Sequence, residues 1–317
     1  MHPQDWLGVV RPEYLETFIA AGGGAVRFLV PTTRDDGRQV CEGLRAAADE
    51  FELQFVALDA ASTKLHLADK LFGAVARQVD WNALASTFVG RLLAERGLRL
   101  PSAQEGAVDL ATIAELNNAE ESFLRAELRR AIENDIFRDY AMSQEFRLAM
   151  IQLCLARLDP DEDPALRDAV LEWLRGELRL VSSVKRAQIF QRVGRHTGLD
   201  MLLSLTHWVR RAGRRGLLLV LDITRYAHNA RRADRDDGLY YSLPATLDLY
   251  EVLRQLIDST DELEGCFVSV LADPEFLIDE RRGLRSYQAL YFRVGDDVHD
   301  RYRDNPLAPL VRLGAAG

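Results

Sequence analysis

The sequence predicts an α/β protein, a parallel sheet covered by helices with a long helical stretch inserted in it. Three observations predict it: a strand–loop–helix–strand unit within about thirty residues near the start, a second strand–helix–strand unit near the end, and long stretches of 3.6-residue periodicity between them. The 317 residues are 48% apolar and 28% charged with 10 prolines, enough to bury a large core and far from the composition of a disordered or collagen-like chain.

Tyr14, Leu15, Phe18 and Ile19 recur at helical spacing over Arg11–Ala21, and Gly22, Gly23 and Gly24 stop that helix. Ala25–Val30 is short, apolar and bounded by Pro31, which reads as a buried strand. Pro31–Gly37 reads as polar loop, Arg38–Phe51 as helix through Val40, Leu44 and Ala48, and Phe51–Leu58 as a second strand. From about Leu65 to Leu205 helices dominate, with Phe123, Leu124, Leu128, Ile132 and Ile136 marking one of them. Pro101 and the acidic, proline-flanked run Asp159–Pro164 read as loops that divide the stretch, the second leading into a helix with Trp173. Leu217–Asp222 is a hydrophobic run ending in an acid, a central strand. A helix over Pro244–Ile257 and a fourth strand over Cys266–Leu271 complete the pattern. The expected division is therefore 1–64 and 206–317 for the α/β core and 65–205 for the insertion.

Forty Lys and Arg against 49 Asp and Glu leave a net charge of −9 and a pI near 5.3, unfavourable for a surface that attracts phosphate backbone all round. Cys41, Cys154 and Cys266 are odd in number and more than a hundred residues apart, so a disulfide framework and a CxxC metal site are both excluded and a reducing compartment is expected. The acid-bearing N-terminus is unlike a secretory leader and no stretch reaches about 18 apolar residues, so a cytoplasmic location is expected. The histidines, His66, His196, His207, His228 and His299 among them, lack the paired spacing of metal ligands, and no metal site is expected. No Ser or Cys sits in a nucleophile-elbow context.

In an open α/β sheet the ligand lies beyond the carboxyl ends of the strands, which directs attention to Pro31–Gln39 and Ile223–Asp237. A phosphate-binding loop of the form GxxxxGK[ST] wraps backbone N–H groups around phosphate, with a lysine for charge and a hydroxyl for Mg²⁺. In that register Thr32 stands at the first glycine, Gly37 matches the second, Arg38 replaces the lysine and Gln39 the hydroxyl. Asp35 and Asp36 set two negative charges where phosphate belongs. Leu217–Asp222 has the shape of a Walker B strand, and Asp222 could hold the magnesium shell, but the acid that orients water is replaced by Ile223. The two altered loops together predict loss of hydrolysis.

Several stretches of wording carry a resemblance: Glu13–Ile19 with Gly22–Phe28, Trp173–Glu177, Pro274–Phe276, Arg281–Leu290, Asn305–Pro306 and Leu310–Leu313. In this order they resemble the BREX-system ATP-binding proteins, BrxD-like members of the AAA+ class of P-loop NTPases. The resemblance implies an AAA+-like core and a role in bacterial anti-phage defence beside helicase, methyltransferase and phosphatase-like partners or an active ATPase subunit. DNA would be reached through the complex. It implies ATP and Mg²⁺ as cofactors, with none bound productively given the altered loops. The γ-phosphate sensor falls at Ala272 or Asp273, and the chain stops soon after Leu313, where a helical lid would follow. A pseudo-ATPase scaffold or regulator is the reading. An active or weakly binding NTPase using Arg38 and Asp222 is the alternative, and a DNA-binding regulator the third.

Two Arg-rich segments remain open. Arg281, Arg282 and Arg285 stand where an arginine finger could reach a neighbouring subunit, or else form a solvated turn beside Asp279 and Glu280. Arg210, Arg211, Arg214 and Arg215, then Arg225, Arg231, Arg232 and Arg235 interleaved with Tyr226, Tyr240 and Tyr241, have the guanidinium and ring content of a nucleic-acid contact, diluted by Asp234, Asp236 and Asp237.

Overall fold

The structure, a computed structural model, describes residues 1–99, 110–159, 163–227, 239–295 and 305–314. By its internal contacts the chain divides into two units, 1–75 with 214–317 and 76–213. The boundaries expected from sequence lay at 64/65 and 205/206. The second of these falls inside one continuous helix, Gly198–Arg211, whose last turns carry buried Trp208 and Val209.

The first unit holds a five-stranded, all-parallel sheet in the order β2-β3-β4-β1-β5, with β1 Gly24–Pro31, β2 Leu53–Asp59, β3 Gly216–Asp222, β4 Cys266–Leu271 and β5 Leu310–Leu313. The run of β4 is buried at every position and that of β3 at all but Asp222, as strands covered on both faces require. The sequence reading counted four strands. β5 is four residues long and only two of them are buried, too short for a periodic signal; its pairing with β1, Phe28 opposite Leu310 and Pro31 opposite Leu313, makes it a strand.

One face of the sheet is covered by α1 (Pro3–Val10), a wide π-helical segment (Arg11–Ile19) and α2 (Arg34–Glu50). Trp6, Val10, Leu15 and Ile19 meet Val40, Leu44 and Ala47 of α2 over Leu29, Leu218 and Phe267. The helix expected over Arg11–Ala21 is thus preceded by a second one, started by Pro3 at its first position with the His2 ring capping the Gln4 N–H. On the opposite face Phe28 of β1 stacks on Phe276 of α12 (Glu275–Ile278) with centroids 5.8 Å apart, and Tyr250 of α11 (Leu243–Asp258) meets that ring edge-on. α3 (Ala68–Arg77), α10 (Thr224–Ala227), α13 (Gln288–Val294) and a 3₁₀ turn at Leu284–Ser286 are the other helical segments among the described residues of this region.

The second unit is helical: α4 (Trp81–Glu95), α5 (Leu110–Leu116), α6 (Glu121–Phe137), α7 (Gln144–Leu158), α8 (Pro164–Leu174) and α9 (Gly198–Arg211), with a 3₁₀ turn at Val181–Ala187. α7 lies at its centre, its residues Phe146–Ile151 all buried. Trp81 approaches Phe146 at 6.1 Å and Phe88 approaches Trp208 at 4.8 Å. Leu124, Leu128, Ile132 and Ile136 form the buried stripe of α6 as expected, while Phe123 is 66% exposed. Asp163 accepts the Leu166 N–H and starts α8 ahead of the buried Trp173. Pro101 and residues 160–162 lie outside the described residues. Among the described residues no helix is long and apolar enough to cross a membrane.

Candidate functional site

β4 lies between β1 and β3, and its last residue, Leu271, is in register with Leu29 on one side and Asp222 on the other. The carboxyl ends of these three strands therefore bring together Thr32–Thr33, Asp222–Ile223 and Ala272–Asp273.

After β1 the chain makes only a two-residue connection before α2 begins at Arg34. The expected loop to Gly37 and helix from Arg38 are corrected by this: the helix starts four residues earlier. The reason is local. Thr33 is extended (φ −126°, ψ 159°), its hydroxyl accepts the Asp36 N–H at 3.1 Å, and the Asp36 carboxylate accepts the Thr33 N–H at 3.0 Å, a reciprocal cap. Asp35 and Asp36 in the first turn suit the positive end of the helix dipole. The signal was present in Thr33-Arg34-Asp35-Asp36, a Thr followed three residues on by an acid.

The four residues expected to cradle phosphate do not converge. Thr32 donates both its N–H (2.7 Å) and its hydroxyl (2.8 Å) to the Leu313 carbonyl at the end of β5. Gly37 sits within the first turns of α2, and a side chain added there would meet only the Pro31 ring, at 3.4 Å. Arg38 is exposed and donates to Asp35 at 2.6 Å, and Gln39 points to solvent.

Asp222 ends β3 half-buried. Its Oδ1 accepts the Thr224 N–H at 2.9 Å and the Thr224 hydroxyl at 2.7 Å. Burial pushes its carboxyl above the usual range; the Thr224 bonds oppose this, neighbouring Asp59 adds to it and Arg34 offsets part. Asp59, opposite Asp222 in the ladder, spends an oxygen on the Ala61 N–H at 2.6 Å. The sequence reading passed over Asp59, although its strand, like β3, closes on an acid. Ile223 is buried. Ala272 is buried with its N–H on the Leu29 carbonyl, and Asp273 accepts the Glu275 N–H at the start of α12.

Arg282 is 9% exposed, and its Nη1 donates to the carbonyls of Tyr241 (3.1 Å) and Tyr226 (3.4 Å) and to the Thr246 hydroxyl (3.4 Å). A guanidinium held inside its own subunit is not extended toward another, which corrects the expectation for Arg282. Arg281 and Arg285 are exposed. Asp279 lies below the usual carboxylate range because the backbone N–H groups of Arg282 and Arg281 donate to it.

Two of the three tyrosines expected in the nucleic-acid patch are also corrected, while Tyr240 is exposed. Tyr226 and Tyr241 are buried and stack on each other at 3.8 Å, with both ring faces withdrawn from solvent. Tyr241 donates its hydroxyl toward the carbonyls of Ala60 (2.5 Å) and Thr63 (2.8 Å), and the Tyr226 oxygen accepts the His66 N–H at 3.0 Å. The stack fastens the segments that follow β2 and β3. Arg225 donates to the Leu239 carbonyl. Arg231, Arg232, Arg235, His228, His299, Asp234, Asp236 and Asp237 lie outside the described residues. Arg211 pairs with Asp135 and lies over the Phe88 ring, and Arg215 donates to the Glu16 carbonyl. Among the described residues no group of three or more His, Cys, Asp or Glu could hold a metal ion.

A five-stranded parallel sheet with helices on both faces, its turns and acids gathered at the carboxyl edge, defines the open α/β class that binds ligands at that edge. Within that class the chain belongs to the family described as BREX system ATP-binding protein BrxC/D, whose model matches residues 106–315. The match takes in Asp222, Ala272, Asp273 and Arg281–Arg285; Thr32–Gln39 lie before it. No curated protein and no solved structure matches the chain.

Proposed function

We propose that the chain is a degenerate P-loop ATPase of AAA+ type that serves as a scaffold or regulator in a bacterial BREX-like anti-phage complex in the cytoplasm, alongside other defence proteins. The AAA+ reading is supported by the position of β4 between the P-loop-position strand β1 and the Walker-B-position strand β3. One observation carries the loss of nucleotide chemistry: the turn that should wrap phosphate is two residues long, and the start of α2 is closed by Thr33 and Asp36. A phosphate approaching there meets the carboxylates of Asp35 and Asp36, and no acid follows Asp222 to orient water.

The family's description as ATP-binding favours a second reading, weak binding of MgATP with Arg38 on phosphate and Asp222 on the metal shell. Calorimetry of ATP and ADP with Mg²⁺ separates the two. The scaffold reading expects no heat of binding at millimolar nucleotide. Micromolar binding that Arg38→Ala removes overturns it, and turnover abolished by Asp222→Asn would establish the second.

A further inference from the structure

Arg147 and Arg282 are the charged side chains most deeply buried among the described residues, each 9% exposed. They differ in what surrounds them. Arg282 has three oxygens of its own chain on its Nη1. Arg147, in the second turn of α7, donates from Nη1 to the Phe137 carbonyl, its Nε is without a hydrogen-bond partner, and no described carboxylate pairs with it. A desolvated guanidinium without an anion is a costly arrangement for a fold to keep.

Two rings frame it. The guanidinium carbon lies 4.9 Å from the centroid of Tyr140 and 5.5 Å from that of Phe137, and these rings are 79% and 52% exposed. The helix that carries Arg147 also starts without a side-chain cap: the Ser143 hydroxyl is turned to the Met201 sulfur at 3.5 Å, leaving the first-turn N–H groups of α7 without a capping side chain. Side chains on a helix lean toward its N-terminus, so the Arg147 side chain and this positive helix end face the same ground. Of the nearby acids, Asp139 is paired by His207 and Arg211, and Glu145, in the first turn of α7, is drawn to the Gln191 amide at 2.8 Å and keeps its charge.

We propose that Arg147 and the start of α7, flanked by Phe137 and Tyr140, form a receptor for a nucleotide unit, the phosphate held by the guanidinium and the base stacked on the Tyr140 ring. Exposed rings beside a cation fit a phosphate that carries a planar base better than a bare carboxylate. The unit comes from a single strand or from a free nucleotide, one chemistry with two sources. The competing structural role, Arg147 as a cap for the last carbonyl of α6, asks nothing of Tyr140.

The test is fluorescence anisotropy of the full chain with a labelled oligothymidylate at low salt, with AMP, inorganic phosphate and oligoglutamate as competitors. Binding is expected, weakened by salt, with loss of roughly tenfold or more in Tyr140→Ala and a comparable loss in Arg147→Lys, which keeps the charge but not the planar fork. Displacement by AMP assigns the site to free nucleotide, and displacement by unlabelled strand alone assigns it to nucleic acid. Should Arg147→Lys not fold, exposed Tyr140→Ala carries the result. Absence of binding to the folded wild type, undiminished binding by Tyr140→Ala, or equal displacement by oligoglutamate overturns the proposal.

Discussion

Thr33 and Asp36 hold each other across the first turn of α2, the Thr33 hydroxyl taking the Asp36 N–H while the Asp36 carboxylate takes the N–H and the hydroxyl of Thr33. The N–H groups of Thr33 and Asp36, which an anion-binding loop would offer to a ligand, are thus spent within the chain. Thr33→Ala should cost about 1 kcal/mol of stability, as loss of an N-cap does. Urea unfolding with an unchanged slope and a lower midpoint is the expected result, and an unaltered midpoint would show the cap to be idle.

Arg282→Met should destabilise the α/β unit by about 2–3 kcal/mol, because the carbonyls of Tyr226 and Tyr241 and the Thr246 hydroxyl lose a charged donor in a buried place. Arg281→Ala and Arg285→Ala, on exposed positions, should fall within about 0.5 kcal/mol of wild type. Thermal melts of the three variants check this, and a fully stable Arg282→Met would return Arg282 to the arginine-finger candidates.

Burial raises the Asp222 carboxyl above its unfolded value. A raised acid favours folding while protonated, and that advantage disappears as pH rises through its folded value and the half-buried carboxylate must ionise. Asp222→Asn, which keeps an acceptor for Thr224, should therefore melt higher than wild type at pH 7, with the gap closing as pH falls toward about 3.9. A variant less stable than wild type at pH 7 would sink this account.

Glu251 behaves in the opposite sense. Hydrogen bonds from Arg254, then from Tyr287 and Gln255, hold it down to about 2 against the cost of burial. Its contribution is present above the unfolded value, near 4.3, and is lost as pH falls through about 2. Glu251→Gln should melt below wild type at neutral pH and match it in strong acid; a gap independent of pH would point to packing instead.

Of the three thiols, Cys154 and Cys266 are fully buried, and burial raises both, Cys266 to about 12. Cys41 is half-buried on α2, its thiol also raised by burial, with Arg45 offsetting part. Ellman's reagent on the native protein should modify Cys41 alone and slowly, and all three in guanidinium; rapid labelling of two or more native thiols would contradict the packing around β4 and α7.

Much of the α/β unit was legible because its central strands are covered on both faces and so leave uninterrupted apolar runs. Cys266–Leu271 was read residue for residue, and Leu217–Asp222 to within one position. The start of α2 was misplaced by four residues because Arg34, Asp35, Asp36 and Gly37 have loop composition, and the cap that makes them helical lies in two side chains. Phe123 was read into the apolar stripe of α6, yet it lies outside the arc that this helix buries.

By itself the sequence determined the four longer strands and the helices between them, the parallel sheet, the acid at the end of β3 and the family to which the chain belongs, since each depends on local periodicity or on wording along the chain. The tertiary structure alone decided the pairing of β5 with β1, the capture of Thr32 by Leu313, the burial of Tyr226 against Tyr241, and the opposite fates of Arg282 and Arg147. An arginine or tyrosine reads the same in sequence whether it faces water, a carbonyl 41 residues away or a backbone N–H 160 residues away, and only the packing that joins those distant segments sets which it meets.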